Sequence, residues 1–256
     1  MSIQKDKKLK LLGQLLPEGV LAPSTWLSRQ GYSSQLIHKY AQNGWLKKVE
    51  RGVYCKPESR VEWKGAVLAL QRLSNLSFYV GGISALNLQG YAHYLPIGNE
   101  KQLYIYGSDT PPAWIKHIQL SQTILFYKKP NFGESGLKKI PSGIRDWELI
   151  ISTPERAIME ALYLVENEGI TFQYVAELFE GLSTLRPSLV SELLKICDSI
   201  KVKRLFLFLS RHYNYPWNEY LEIEGCDLGK GKLQIVKEGV FDKNFLITVP
   251  KEFKHG

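Results

Sequence analysis

Polar and apolar positions along the first 56 residues fall into three helical stripes followed by a short alternating pair. In KKLKLLGQLLP, Leu9, Leu12, Leu15 and Leu16 share one helical face and Pro17 ends the run, which predicts a first helix. After the connection EGVLAP, Ser24 stands where a cap for STWLSRQ is expected, with Trp26 and Leu27 facing inward and Gly31 closing the turn of helix. The third segment, SSQLIHKYAQNG, opens on Ser33 as its candidate cap, carries Leu36, Ile37, Tyr40 and Ala41 on one stripe and stops at Gly44. WLKKVERGVYCK then reads as two strands, Trp45 to Val49 and Val53 to Lys56, joined by Glu50, Arg51 and Gly52. Helix, helix, tight turn, helix and basic hairpin is the layout of a winged helix-turn-helix.

From Glu62 the pattern changes. WKGAVLALQRLS and GGISALNLQG read as helices; QLYIYGS (102 to 108), TILFYKK (123 to 129) and RDWELIIS (145 to 152) read as strands, with the Pro-containing linker SDTPPAW after the first of them. Thr153 followed by Pro154 and Glu155 is a strong helix start for TPERAIMEALYLVENEG. FQYVAELFEGLS, PSLVSELLKICDS and VKRLFLFLSRHY continue as amphipathic helices, and KLQIVKEGVFDKNFLITVP closes the chain as a pair of strands. The expected fold is α+β: a winged helix-turn-helix over residues 1–60 and a larger mixed α/β domain over 61–256, without internal repeats.

Charge sharpens this division. Of 33 basic and 25 acidic residues, ten and three lie in residues 1–56, leaving 23 and 22 in the other 200. Nearly all of the net charge of +8 therefore sits in the first fifth of the chain, as expected of a polyanion-binding module joined to a neutral one. The start, MSIQKDKKLKLLGQLLPEG, has no continuous apolar run or small-residue cleavage site, so no export is expected and the location read from the sequence is cytoplasmic. The longest apolar runs, such as LFLFL, fall far short of the ~20 residues of a membrane span.

Enzymatic signatures are sparse. Cys55, Cys197 and Cys226 have no C-x-x-C spacing and read as reduced core residues; His38, His93, His117, His212 and His255 have no paired helical spacing, so neither metal nor cofactor is expected. GCDLGKGK lacks the phosphate-loop spacing and reads as a turn. Asp146 and Glu148, two apart on an expected strand, would share one sheet face as paired nuclease carboxylates do, although most such pairs are only solvated. The chain is not expected to be an enzyme.

In the third helix, Gln35, His38, Lys39 and Gln42 follow i, i+3, i+4, i+7 spacing opposite the apolar stripe and are the candidate base readers. Ser33 and Ser34, at the end where backbone N–H groups point outward, suit phosphate contacts, and Lys47, Lys48, Arg51 and Lys56 supply the wing's charge. A polar face opposite an apolar one is also what any surface helix has.

The run GWLKKVERGVY (44 to 54) resembles the N-terminal domain of the AbiEi family, antitoxins of type IV abortive-infection systems. Gly81 and Gly82 with ISALNLQG, and the block ISTPERAIMEAL (151 to 162), resemble that family's later segments. The resemblance implies repression of the antitoxin–toxin operon at inverted repeats in double-stranded DNA and a C-terminal domain that counteracts a nucleotidyltransferase-like toxin; because such wings work in pairs on inverted repeats, two protomers per operator are expected. It matches Lys47, Lys48 and Arg51 to the family's basic wing, identifies no toxin-contacting residue, and leaves Arg156 open to a structural role with Glu155, Glu160 or a helix end. The alternative from the residues alone is a ligand-responsive winged-helix repressor, marked by a large apolar pocket with a few convergent polar groups in the C-terminal domain.

Overall fold

The computed structural model describes residues 2–91, 101–128 and 132–253, with side chains from Lys7 onward; His93 and His255 lie outside the described residues. The winged segment runs α1 (Ser2–Leu15), β1 (Ala22–Pro23), α2 (Ser24–Arg29), α3 (Ser34–Gln42), β2 (Lys47–Glu50) and β3 (Val53–Cys55). It departs from the sequence-based expectation in three places. The connection EGVLAP contains β1, which pairs antiparallel with β3 and gives a three-stranded sheet of order β1-β3-β2. Ser24 is the first residue of α2 rather than its cap, because its N–H donates to the Gly52 carbonyl at 2.7 Å and ties the helix to the wing turn. The wing strands are shorter than expected, with Trp45 and Lys56 outside them and a bulge between Lys48 and Glu50.

Beyond the wing come α4 (Trp63–Leu68), continued by a π-helical turn Ala69–Leu73, β4 (Tyr79–Val80), α5 (Gly82–Leu88), β5 (Gln102–Gly107) and β6 (Thr123–Lys128). SDTPPAW runs into a 3₁₀ turn, Ala113–His117. Then follow β7 (Leu137–Pro141), β8 (Glu148–Ser152), α6 (Pro154–Leu164), α7 (Phe172–Glu180), α8 (Pro187–Ile196), α9 (Ile200–Tyr213), β9 (Leu233–Gln234), β10 (Val240–Asp242) and β11 (Ile247–Val249). Five strands form a sheet of order β6-β5-β4-β8-β7. The closing strands number three rather than two, since β11 pairs antiparallel with β10 and parallel with β9. Among the described residues no helix is long and apolar enough to cross a membrane.

The chain divides into two compact units, Met1–Tyr79 with Gly107–Phe126 and Lys139–Ile150, and Val80–Tyr106 with Tyr127–Lys138 and Ile151–Gly256. In the first, the π turn places Gln71 so that its amide both donates to and accepts from the Ile150 backbone, at 3.0 and 3.1 Å, as a neighbouring strand would. Arg145 donates to carbonyls of Gln14, Gly13 and Leu16 at the end of α1, satisfying acceptors that the helix leaves open. Arg145 has φ +50, a left-handed conformation incompatible with a strand. The expected strand from 145 therefore begins only at Glu148, and Asp146 sits in a turn, so the same-face carboxylate pair does not form.

The second unit is built on α6, of whose residues only Pro154 and Tyr163 are not buried. Its charges are committed internally. Arg156, fully buried, donates from Nε to Glu160 at 2.8 Å and from its Nη1 to the Ser135 and Gly133 carbonyls at 2.6 and 3.2 Å. Glu155 takes a two-pronged contact from Arg186, at 2.9 and 3.0 Å, plus the Arg186 backbone N–H, fastening the starts of α6 and α8 together. Burial opposes ionisation of Glu155, but these donors outweigh it and hold the carboxyl below its ordinary range. GCDLGKGK is indeed without regular structure and folds around Arg204, which donates to the Leu228 and Gly231 carbonyls at 2.6 Å. Cys55 and Cys197 are buried free thiols pushed up in pKa by that burial, whereas Cys226 is half-buried rather than a core residue.

Candidate nucleic-acid interface

Ser33 adopts extended backbone and its hydroxyl accepts from the Leu36 N–H at 3.3 Å, so α3 starts with a side-chain cap. At its other end Gly44, with φ +73, lets the Trp45 N–H return to the Tyr40 carbonyl at 2.8 Å. Between these stops Ile37 and Tyr40 are buried, Leu36 and Ala41 half-buried, and Gln35, His38, Lys39 and Gln42 all exposed. Tyr40 packs 6.3 Å from Tyr32, whose hydroxyl donates to the Lys8 carbonyl at 2.9 Å, so the buried face of α3 is anchored back to α1. The four polar side chains therefore share a rigidly held outer face, with Ser33 and Ser34 exposed at its N-terminal edge.

The wing is positioned by register. Lys47 stands opposite Cys55 and Lys48 opposite Tyr54, with β2 at the sheet edge. Gly52 turns the hairpin with φ +74, and a Cβ there would lie 3.2 Å from the Ser24 hydroxyl. Lys47, Lys48 and Arg51 are exposed, and none of them has an ion-pair partner among the described residues. Glu50, the wing's one acid, turns its carboxylate to the Arg51 backbone N–H at 2.7 Å. Lys56 is half-buried beyond β3, in a recess it shares with Glu18 and Arg145.

Not every cation counted in the sequence remains available. Lys8 donates to the Gly31 carbonyl at 2.9 Å and lies 5.9 Å over the Tyr32 ring. Arg29 donates to the Leu73 carbonyl at 3.0 Å. Both tie the fold together, which periodicity could not reveal. Sequence reasoning also passed over Trp45, which is 52% exposed between α3 and the wing; a large aromatic predicted to lie in a strand gave no such signal. Among the described residues no group of three or more His, Cys, Asp or Glu side chains gathers as a metal site would require.

A capped helix with an outward polar face, a preceding helix locked to it and a basic hairpin define a winged-helix regulator with a larger α/β domain attached. Family comparison agrees with that class. Residues 5–97 match the transcriptional regulator AbiEi antitoxin N-terminal domain, and residues 100–250 match the transcriptional regulator AbiEi antitoxin of type IV toxin–antitoxin systems. The chain belongs to the AbiEi antitoxin family. The fold is similar to that of the Rv2827c protein of Mycobacterium tuberculosis, at a TM-score of 0.61 and 14% identity over 94% of this chain and 89% of that one. No curated protein sequence matches the chain.

Proposed function

We propose that this antitoxin-family regulator binds the promoter DNA of its own operon through residues 1–60, acting in the cytoplasm. Gln35, His38, Lys39 and Gln42 read base edges in the major groove, while Ser33, Ser34, Lys47, Lys48, Arg51 and Lys56 contact the phosphate backbone. The observation that carries this reading is the outward face of α3: four hydrogen-bonding side chains at helical spacing, all exposed, beside three wing cations that have no ion pair among the described residues. Two protomers occupy inverted half-sites a whole number of helical turns apart.

Residues 61–256 counteract a nucleotidyltransferase-like toxin by binding or indirect antagonism rather than by catalysis. Support comes from the commitment of four of the five buried charged side chains among the described residues, Glu155, Arg156, Glu160 and Arg204, to internal contacts. Titrating the full chain onto its promoter fragment and onto scrambled DNA of equal length, with footprinting of the bound region, tests the DNA half. A tighter complex on the promoter with two symmetric protected half-sites is expected; equal affinity for both fragments would contradict it.

A further inference from the structure

The cavity between the last long helix and the closing strands has chemistry that the DNA-binding reading does not use. It is open to solvent on one side and has a volume of about 400 Å³, within the ~300–1,000 Å³ range typical of small-molecule sites. Its apolar lining comes from Phe208 on α9, Phe245, Val249 on β11 and Phe253. These rings are fixed by their neighbours: Phe208 meets Phe245 edge to face at 6.3 Å, and Phe253 packs 5.0 Å from Phe172 and 4.9 Å from His212. Phe208, Val249 and Phe253 are each buried and form the floor of the pocket, whereas its walls come from half-buried and exposed residues such as Val240, Phe245, Arg211 and Lys243.

Two cations line the same cavity. Arg211 follows Phe208 by three positions on α9, and Lys243 begins the turn between β10 and β11. Both are exposed, and neither has an ion-pair or hydrogen-bond partner among the described residues. The one acid in the lining, Asp242, spends a carboxylate oxygen on the Phe245 backbone N–H at 2.7 Å, a contact that shapes the turn. The cavity thus presents an aromatic floor and a net positive rim, and a planar carboxylate suits a guanidinium placed there.

We infer that this cavity binds a small amphipathic carboxylate, with an aromatic or branched apolar body against Phe208, Phe245 and Phe253 and its acid group toward Arg211 and Lys243. The site and its ligand class are independent of how the chain reads DNA. Arg211 and Lys243 supply the preference for charge, and the aromatic floor supplies the preference for an apolar body.

The test uses the full chain and two probes that differ in charge, 2-naphthoate and 2-naphthalenemethanol, titrated by calorimetry with probe fluorescence in parallel. One saturable naphthoate site is expected, at least tenfold tighter than for the alcohol. Arg211→Gln with Lys243→Gln, both at exposed positions, should remove that difference while leaving the alcohol's affinity unchanged. Val240→Trp, which fills the cavity, should abolish binding of both probes in a protein whose circular dichroism and unfolding midpoint match the parent. No saturable binding, equal affinity for the two probes in the parent, or naphthoate binding untouched by Val240→Trp would each overturn the inference.

Discussion

A carboxylate oxygen of Glu160 accepts the backbone N–H of Gly82 at 2.8 Å, which joins two sequence blocks 78 residues apart. The same oxygen accepts the Ser152 hydroxyl at 2.7 Å, while the other receives Arg156. A Cβ at Gly81 would lie 2.5 Å from that oxygen and 2.5 Å from the Tyr106 ring. The double glycine and the TPER block thus specify one buried polar network: glycine lets the backbone come close enough to serve as a ligand for Glu160.

Gly81→Ala should therefore destabilise the protein by about 1–3 kcal/mol through overpacking against groups that cannot retreat. Gly13→Ala, inside α1 with nothing within 4 Å of the added carbon, should instead stabilise by roughly 0.5–1 kcal/mol. Urea unfolding midpoints check both, and equal shifts for the two variants would contradict the close approach at Gly81.

Removing one member of the buried pair should cost more. Arg156→Ala leaves Glu160 with a buried, uncompensated charge, and a loss of about 3–5 kcal/mol is expected. Removing Glu160 as well should cost less than the sum of the two single losses, although the Gly82 N–H and the Ser135 carbonyl then lose their partners. A double-mutant cycle by chemical denaturation measures the coupling, and strictly additive losses would show that the pair is not coupled.

Acid should act through Glu155. Its folded carboxyl lies below the ordinary value of 4.5, so its stabilisation is complete above about pH 4.5 and fades as pH falls through the lower folded value. Glu155→Gln should cost on the order of 1 kcal/mol at neutral pH, a modest figure because the Arg186 side chain is 60% exposed. The gap between parent and variant should then narrow on acidification below that pH. Thermal melts across a pH series decide it, and a gap that widens toward low pH has the wrong sign.

Much of this was legible in the sequence, and the rest was hidden for physical reasons. Helix α3, its Ser33 cap and its outward face follow from periodicity, because one turn of helix fixes which side chains share a face. Thr153, Pro154 and Glu155 marked the start of α6 in the same way. Strand β1 is two residues long and includes a proline, so no alternation existed to be read. Strand β7, LKKIP, lies at a sheet edge where lysines replace the expected apolar positions. Asp146 was misplaced because the left-handed turn at Arg145 is set by its long-range contacts with the end of α1. The roles of Gln71, Lys8 and Arg204 likewise depend on distant backbone carbonyls.

Base reading by α3 makes a separate prediction. Gln35→Ala or Gln42→Ala, both at exposed positions, should lower discrimination between promoter and scrambled DNA by about 1–3 kcal/mol, the worth of a two-pronged hydrogen bond to a base, leaving scrambled-DNA affinity nearly unchanged. Competition binding with both DNAs gives the ratio directly. Equal weakening on the two would reassign these side chains to the phosphate backbone.

That the basic winged helix holds DNA is tested most directly by the salt dependence of promoter binding. With roughly three or four phosphates neutralised per protomer, the slope of log affinity against log salt should be about −3 for one protomer and twice that for two. Replacing Lys47, Lys48 and Arg51 with glutamine should flatten the slope by about one for each phosphate left without its cation. A variant that binds with the parent's slope would contradict the wing's role and the interface built on it.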